Sequence, residues 1–134
     1  MARHVKVLMA CKQCQAIKPC DGRFFCSRSC YQENRKQLRI EVWKNGGPIG
    51  VQPLRKYLRE ISDGRCSNCN LNEWMGSKLV CEVEHKDGNS ENSSPNNVCL
   101  LCPNCHSQTD TYKAKNRGNG RHSRRKRYAE GKSY

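Results

Sequence analysis

Eight of the eleven cysteines in this 134-residue chain fall into four close pairs. Cys11 and Cys14, Cys66 and Cys69, and Cys102 and Cys105 are spaced CxxC, while Cys26 and Cys30 are spaced CxxxC. A gap of this size lets both sulfurs of a turn or helix start reach one ion, and Zn2+ favours a tetrahedron of thiolates. Pairing by proximity gives Cys11, Cys14, Cys26 and Cys30 to one structural zinc and Cys66, Cys69, Cys102 and Cys105 to another. Cys20 is a rival ligand in the first set. Cys81 and Cys99 sit in apolar stretches and read as small buried hydrophobes.

The rest of the composition makes such staples necessary. Leu, Ile, Val and Phe supply 21 residues, and the formal charge is +13. Chains of that kind are usually disordered, because too little apolar surface is available to offset the entropy of ordering. A structural zinc contributes on the order of 10 kcal/mol to folding, comparable to the net stability of a whole domain. Two tetrathiolate sites lower the net charge only to about +9, so the chain stays strongly basic and suited to a polyanion.

No apolar run approaches the roughly 20 residues of a membrane span. Near the N-terminus only Val7, Leu8, Met9 and Ala10 form an apolar stretch, far short of a signal-peptide core. The expectation is a protein that is not secreted, cytoplasmic in a bacterial or phage-infected cell, with thiolates on metal rather than disulfides.

Segmentation follows from the breakers. Residues 1–43 hold the first cysteine set and a helical stretch over 32–42, with Trp43 as core. Residues 44–53 contain Gly46, Gly47, Pro48 and Gly50 and read as a linker. A helix is expected over 54–61, with Leu54, Leu58 and Ile61 as its apolar stripe. Alternation predicts one strand over 78–85, with Cys81, Val83 and His85 on one face and Val80, Glu82 and Glu84 on the other. The polar stretch 86–96 can only be a loop. Val98–Leu101 reads as a second strand, and Pro103 marks the first turn of a helix. Trp74 is expected in the core. The tail, 117–134, carries seven Lys and Arg against one Glu, which predicts a solvated, disordered terminus able to bind phosphate. The fold class expected is therefore a small zinc-stabilised α+β protein, with a second domain over 54–116 preceded by a short N-terminal zinc module.

Threaded through the second cysteine set are Glu84, His85, Asn97 and His106, with eleven residues between His85 and Asn97 and eight between Asn97 and His106. The run CSNC, then EVEHKDGN, then NNVCLLCPNCHSQTD resembles the HNH endonucleases, whose ββα-metal fold is treble-clef-like. The resemblance covers 65–115, and His, Asn and His fall in register with both knuckles at once. It implies His85 as general base, Glu84 and His106 as ligands of one divalent cation such as Mg2+ or Mn2+, and Asn97 as the residue that keeps the inter-strand loop in shape. A carboxylate with an imidazole makes a harder site than four thiolates, so chemistry alone should sort the two kinds of metal. A free imidazole titrates near about pH 6.5, which suits the abstraction of a proton from water. FCSRSC at 25–30 similarly resembles the second half of short treble-clef zinc modules, which bind nucleic acid or protein or cap a fold.

The resulting expectation is a metal-dependent DNA endonuclease, nicking or cutting both strands, of the small type frequent in bacteriophages. DNA is the expected partner, through Arg117, Arg121, Arg124, Arg125, Lys126 and Arg127, and the protein is expected to be a monomer. The alternative is a non-catalytic zinc protein that binds nucleic acid, and a third reading is an assembly adaptor. The intact Glu84, His85 and His106 set distinguishes the first, because binding alone does not require it.

Overall fold

A computed structural model describes residues 6–20, 24–117 and 122–132, and of 122–124 only the backbone. The chain forms two compact units, Met1–Asn45 and Gly46–Tyr134.

The first unit is a hairpin followed by a helix. Strands β1 (Val7–Ala10) and β2 (Ile17–Cys20) pair antiparallel, with Val7 opposite Cys20 and Ala10 opposite Ile17. Helix α1 spans Arg28–Lys44 and is capped by Ser27, whose hydroxyl accepts from the Cys30 amide at 3.1 Å. Such a cap satisfies one of the amides that a helix start leaves without an intrahelical partner. The helix is longer than the 32–42 stretch expected, because the cap and the cysteine-bearing first turn carry no apolar signal. Ile40 and Trp43 are its buried residues, while Leu38 and Val42 are exposed. The small core holds Cys11, Cys20 and Phe25, with Met9, Cys26, Cys30 and Tyr31 packed against it. The Phe25 and Tyr31 rings meet edge to face at 5.4 Å. Five of those seven residues carry sulfur, as expected of a segment with so few aliphatic side chains.

In the second unit, helix α2 spans Val51–Ile61, beginning ahead of the expected start at 54. Pro53 is tolerated because the first-turn amides have no intrahelical partner anyway. Leu54 and Leu58 are buried, but Ile61 lies exposed at the helix end. The chain then reverses through Asp63 and Gly64, both at positive φ. The single strand expected over 78–85 is two separate pieces. Strands β3 (Glu73–Trp74) and β4 (Ser77–Lys78) form a short hairpin, and β5 (Glu82–His85) pairs antiparallel with β6 (Val98–Leu101). Met75 and Gly76 supply the positive φ values of a tight hairpin turn. Trp74 is 55% exposed on that hairpin and does not join the core.

Helix α3 is short, Pro103–Ser107, with Cys102 as its cap. Helix α2 packs on β6, and α3 packs on both β5 and β6. Among the described residues, the buried side chains of this unit are Leu54, Leu58, Cys66, Cys81, Glu84, Val98, Leu100, Leu101 and Cys102. A single turn of 3-10 helix covers Lys113–Asn116, and α4 covers His122–Ala129. The disordered terminus expected from the tail's charge is thus helical over eight residues; Lys and Arg are good helix formers, and charge alone does not forbid the backbone conformation. Among the described residues no helix is long and apolar enough to cross a membrane.

Candidate functional site

The two cysteine groups are built alike. In the first, the Cys11 amide donates to Ala16 O at 3.0 Å and the Gln15 amide to Cys11 O at 2.9 Å, with Gln15 at φ +60°. In the second, Cys66 donates to Leu71 O and Asn70 to Cys66 O, both at 2.9 Å, with Asn70 at φ +61°. Each turn curls its amides toward the sulfurs. The other half of each group comes from a helix start, Cys26 and Cys30 at α1 and Cys102 and Cys105 at α3. The four sulfurs of Cys11, Cys14, Cys26 and Cys30 lie within 4.8 Å of one another, and so do those of Cys66, Cys69, Cys102 and Cys105.

Separations of 3.7 Å for Cys14 to Cys26, 3.5 Å for Cys26 to Cys30 and 3.8 Å for Cys69 to Cys102 match a zinc tetrathiolate. A tetrahedron with 2.3 Å bonds has edges of about 3.8 Å. Cys20 stands outside its group and donates to Met9 O at 3.6 Å. Cys81 likewise donates to Gly64 O at 3.3 Å, and burial pushes the thiols of both Cys81 and Cys99 up.

The electrostatics suit a cation. Backbone amides of Cys14 and Cys26 lower the Cys11 thiol to about 6. Burial pushes Cys66 up, but the amides of Cys69, Cys102 and Asn68 outweigh it and leave the thiol at about 6. Hydrogen bonding with Cys30, then burial, pushes Cys26 up to about 12. Cys105 is drawn down by the Asn68 side-chain amide, yet burial and the thiols of Cys102, Cys69 and Cys66 raise it to about 12. In each group one thiol is drawn down by backbone amides while another is pushed up by the sulfurs crowded against it. A divalent ion relieves that crowding.

A different donor set stands nearby. Strand β5 ends at His85, and its pleat puts Glu82 and Glu84 on one face. Glu84 is 6% exposed. One carboxylate oxygen lies 2.8 Å from His106 Nε2, and the other accepts from the Thr111 hydroxyl. His106 Nδ1 lies 3.0 Å from a Glu82 carboxylate oxygen. The edge of its ring meets Tyr112 at 5.1 Å between centroids. Adjacency to Cys105 on α3 turns His106 by about 100° from the thiolate group, so one short helix serves both. An open cavity of about 360 Å³ beside the pair is lined by Glu82, Pro103, His106, Tyr112 and Lys113. The Glu84 and His106 donors, an oxygen and an imidazole nitrogen, fit a divalent ion harder than zinc in its thiolate cage.

His85 and Asn97 are placed by the loop between β5 and β6. His85 Nε2 is 3.4 Å from Ser93 Oγ, and the Gly88 amide donates to His85 O at 2.8 Å. The Asn97 side chain spans the loop's ends: its oxygen accepts from the Asp87 amide at 3.1 Å, and its amide donates to Asp87 Oδ1 and Asn92 O at 2.8 and 2.7 Å. The Asn89 amide, with the side chains of Asn97 and Asn92, holds the Asp87 carboxyl below the usual carboxylate range. Gly88, at φ +72°, lies so close to the Asn116 side-chain amide that a Cβ would run into it. Asn116 in turn donates to Gly88 O at 2.8 Å.

Of the basic residues, Arg117 is exposed and Arg125, Lys126 and Arg127 are exposed on α4. Arg124 is on the same helix, and Arg121 lies outside the described residues. Glu82, Asp87 and Thr111 were not singled out as site residues by sequence reasoning. Period-two alternation already placed Glu82 on the face of Glu84. Thr111 carried no signal, because it follows the end of α3 and no helical spacing links it to the strand.

The chain is similar in sequence to a protein named as an HNH endonuclease. It is 40% identical over 88 residues, 64% of its length, to H-N-H endonuclease F-TflIV of Escherichia phage T5, of which it covers 39%. It is 30% identical over 67 residues, half of its length, to Zorya protein ZorE of Escherichia coli, of which it covers 16%. The chain thus spans well under half the length of either curated relative. No family model matches, and no solved structure matches.

Proposed function

We propose that this protein is a metal-dependent DNA endonuclease in which β5, β6 and α3 form a ββα-metal unit. The observation that carries the proposal is the buried Glu84 paired with His106 at 2.8 Å, on β5 and on the helix packed against it. Glu84 and His106 would hold one divalent cation, Mg2+ or Mn2+. When bound it supplies Lewis-acid charge for the phosphate oxygens and the departing 3′ oxygen. His85 takes a proton from the water that attacks phosphorus, the bond to the 3′ oxygen breaks, and the products carry 5′ phosphate and 3′ hydroxyl. Asn97 holds the loop that follows His85, using its side-chain hydrogen bonds to close 86–97 on itself. The tetrathiolate groups hold zinc and act structurally. DNA is the substrate and partner, held by the basic excess and by Arg117, Arg125, Lys126 and Arg127, with Arg121 and Arg124 adding charge to the same stretch of sequence. The T5 relative's name supports this reading, and the reading puts the protein in a reducing cell interior, where the thiolates persist.

Incubation of supercoiled plasmid with the protein and Mg2+ or Mn2+ tests it. Wild type converts the plasmid to open-circular or linear form, a chelator stops conversion, and His85→Ala retards the plasmid on a gel without cutting it. Plasmid left uncut by wild type and His85→Ala alike, while both shift it, would favour a binding protein that is not a nuclease.

A further inference from the structure

The segment that follows α3 is tied to the site at both ends. The Thr111 hydroxyl donates to the Glu84 carboxylate, and the Asn116 side-chain amide donates at 2.8 Å to Gly88 O, on the loop that follows His85. Between these anchors Lys113 takes φ +46°. A lysine adopts that left-handed conformation only where its surroundings over-determine it, and such strain collects at functional sites. Its ammonium lies 4.9 Å from the centre of the Tyr112 ring, which meets His106 at 5.1 Å. The Lys113 side chain is exposed and lines the same open cavity of about 360 Å³ as His106 and Glu82. Among the described residues lining that cavity, Lys113 alone brings the charge of a lysine or arginine.

We propose that Lys113 is a catalytic residue whose ammonium contacts a non-bridging oxygen of the scissile phosphate in this cavity. The inference rests on the endonuclease reading of the Glu84 and His106 pair. Charge supplies the reason. Glu82 and Glu84 both face His106, and two carboxylates offset the whole charge of one divalent cation. A phosphodiester brings one negative charge. It gains a second when a water that has given its proton to His85 attacks phosphorus, and the 3′ oxygen carries that charge away as its bond to phosphorus breaks. A site whose carboxylates cancel its ion has no surplus positive charge for that state, and the ammonium provides it. Positive charge fixed where negative charge develops favours the transition state over the bound substrate. The tethers at Thr111 and Asn116 and the face of the Tyr112 ring hold the ammonium there in advance of the reaction.

Cleavage kinetics on a short duplex with Mn2+ test it in two variants. Lys113→Gly accepts the left-handed backbone and removes the charge, while Lys113→Arg keeps the charge. Lys113→Gly lowers kcat by about 10–100-fold, below the loss seen for an enclosed donor because this cavity is open to water, and KM moves far less. Lys113→Arg recovers most of kcat. Mn2+ affinity and the thermal midpoint stay at wild-type values in both, which a merely structural role would not allow. A second measurement needs no cutting: in a His85→Ala background, adding Lys113→Gly reduces the slope of log affinity against log salt for the same duplex by about 1, the loss of one phosphate contact. Wild-type kcat in Lys113→Gly overturns the proposal, and so does a Lys113→Arg as slow as Lys113→Gly. Loss of Mn2+ binding that accounts for the whole fall in rate also overturns it, since Lys113 would then only keep the cation site in shape. If wild type cuts nothing, a slope reduced by about 1 upholds the contact with phosphate and sinks the endonuclease reading, whereas an unchanged slope sinks both.

Discussion

Asp87 shows how one exposed carboxylate organises the loop between β5 and β6. Its carboxyl lies below the usual range because the Asn89 amide, followed by the Asn97 and Asn92 side chains, prefers it charged. A carboxyl depressed in the folded state adds stability above its unfolded value, near about pH 3.9, and that stability is lost as pH falls through the folded value. Loop protection, read by amide hydrogen exchange, should therefore hold across neutral pH and fade only on acidification below the ordinary carboxylate range. Asp87→Asn should remove that dependence. The neighbouring Gly88 is constrained twice, by φ +72° and by the Asn116 side chain. Gly88→Ala should cost about 1–3 kcal/mol in thermal unfolding, since a strained backbone and a displaced side chain add. Its effect on cleavage should exceed that of an exposed substitution such as Lys86→Ala.

At the scale of elements, the caps repay attention. Ser27→Ala removes the hydroxyl that accepts from Cys30, and a lost N-cap costs about 0.5–2 kcal/mol. Because Cys30 sits in the same turn, the variant should also bind zinc more weakly, measurable by competition with a chelating dye. The strand Val98–Leu101 and the helix start at Pro103 were legible in the sequence, since β-branched and aliphatic residues between polar loops leave few alternatives. The pairs of cysteines were legible for the same kind of reason: the spacing that lets two sulfurs meet one ion is the spacing the fold gathers. The hairpin β1–β2 was not read, because its exposed Val7, Leu8 and Ile17 do not alternate toward a core. The stretch 78–85 misled because alternation in sequence continued across Leu79–Cys81, where the backbone leaves the β3–β4 hairpin before β5 begins. Glu82 was placed on the correct face, but nothing in one sequence says that His106 would arrive there.

Across the whole molecule, a scarcity of aliphatic residues and a charge of +13 meet the same requirement from two sides. Two four-cysteine groups that could each hold a metal ion stand in for a large core, and the surface is left free to be basic. If the two groups hold zinc as proposed, chelation at neutral pH should unfold the protein, because a structural zinc contributes on the order of 10 kcal/mol. Cys102→Ser should abolish cooperative melting where Cys99→Ser does not, as Cys99 lies outside both sulfur groups. DNA affinity should fall steeply as salt rises, with log affinity linear in log salt. Substituting Arg125, Lys126 and Arg127 together should flatten that slope without altering the metal content.

Cleavage of a short DNA duplex in water carrying heavy oxygen tests the central claim most directly. With Mn2+ present, mass spectrometry should find the label in a 5′ phosphate opposite an unlabelled 3′ hydroxyl, and His85→Ala, still folded and zinc-loaded, should yield neither. Products bearing 3′ phosphate, or labelled 5′ phosphate formed at the wild-type rate by His85→Ala, would contradict it.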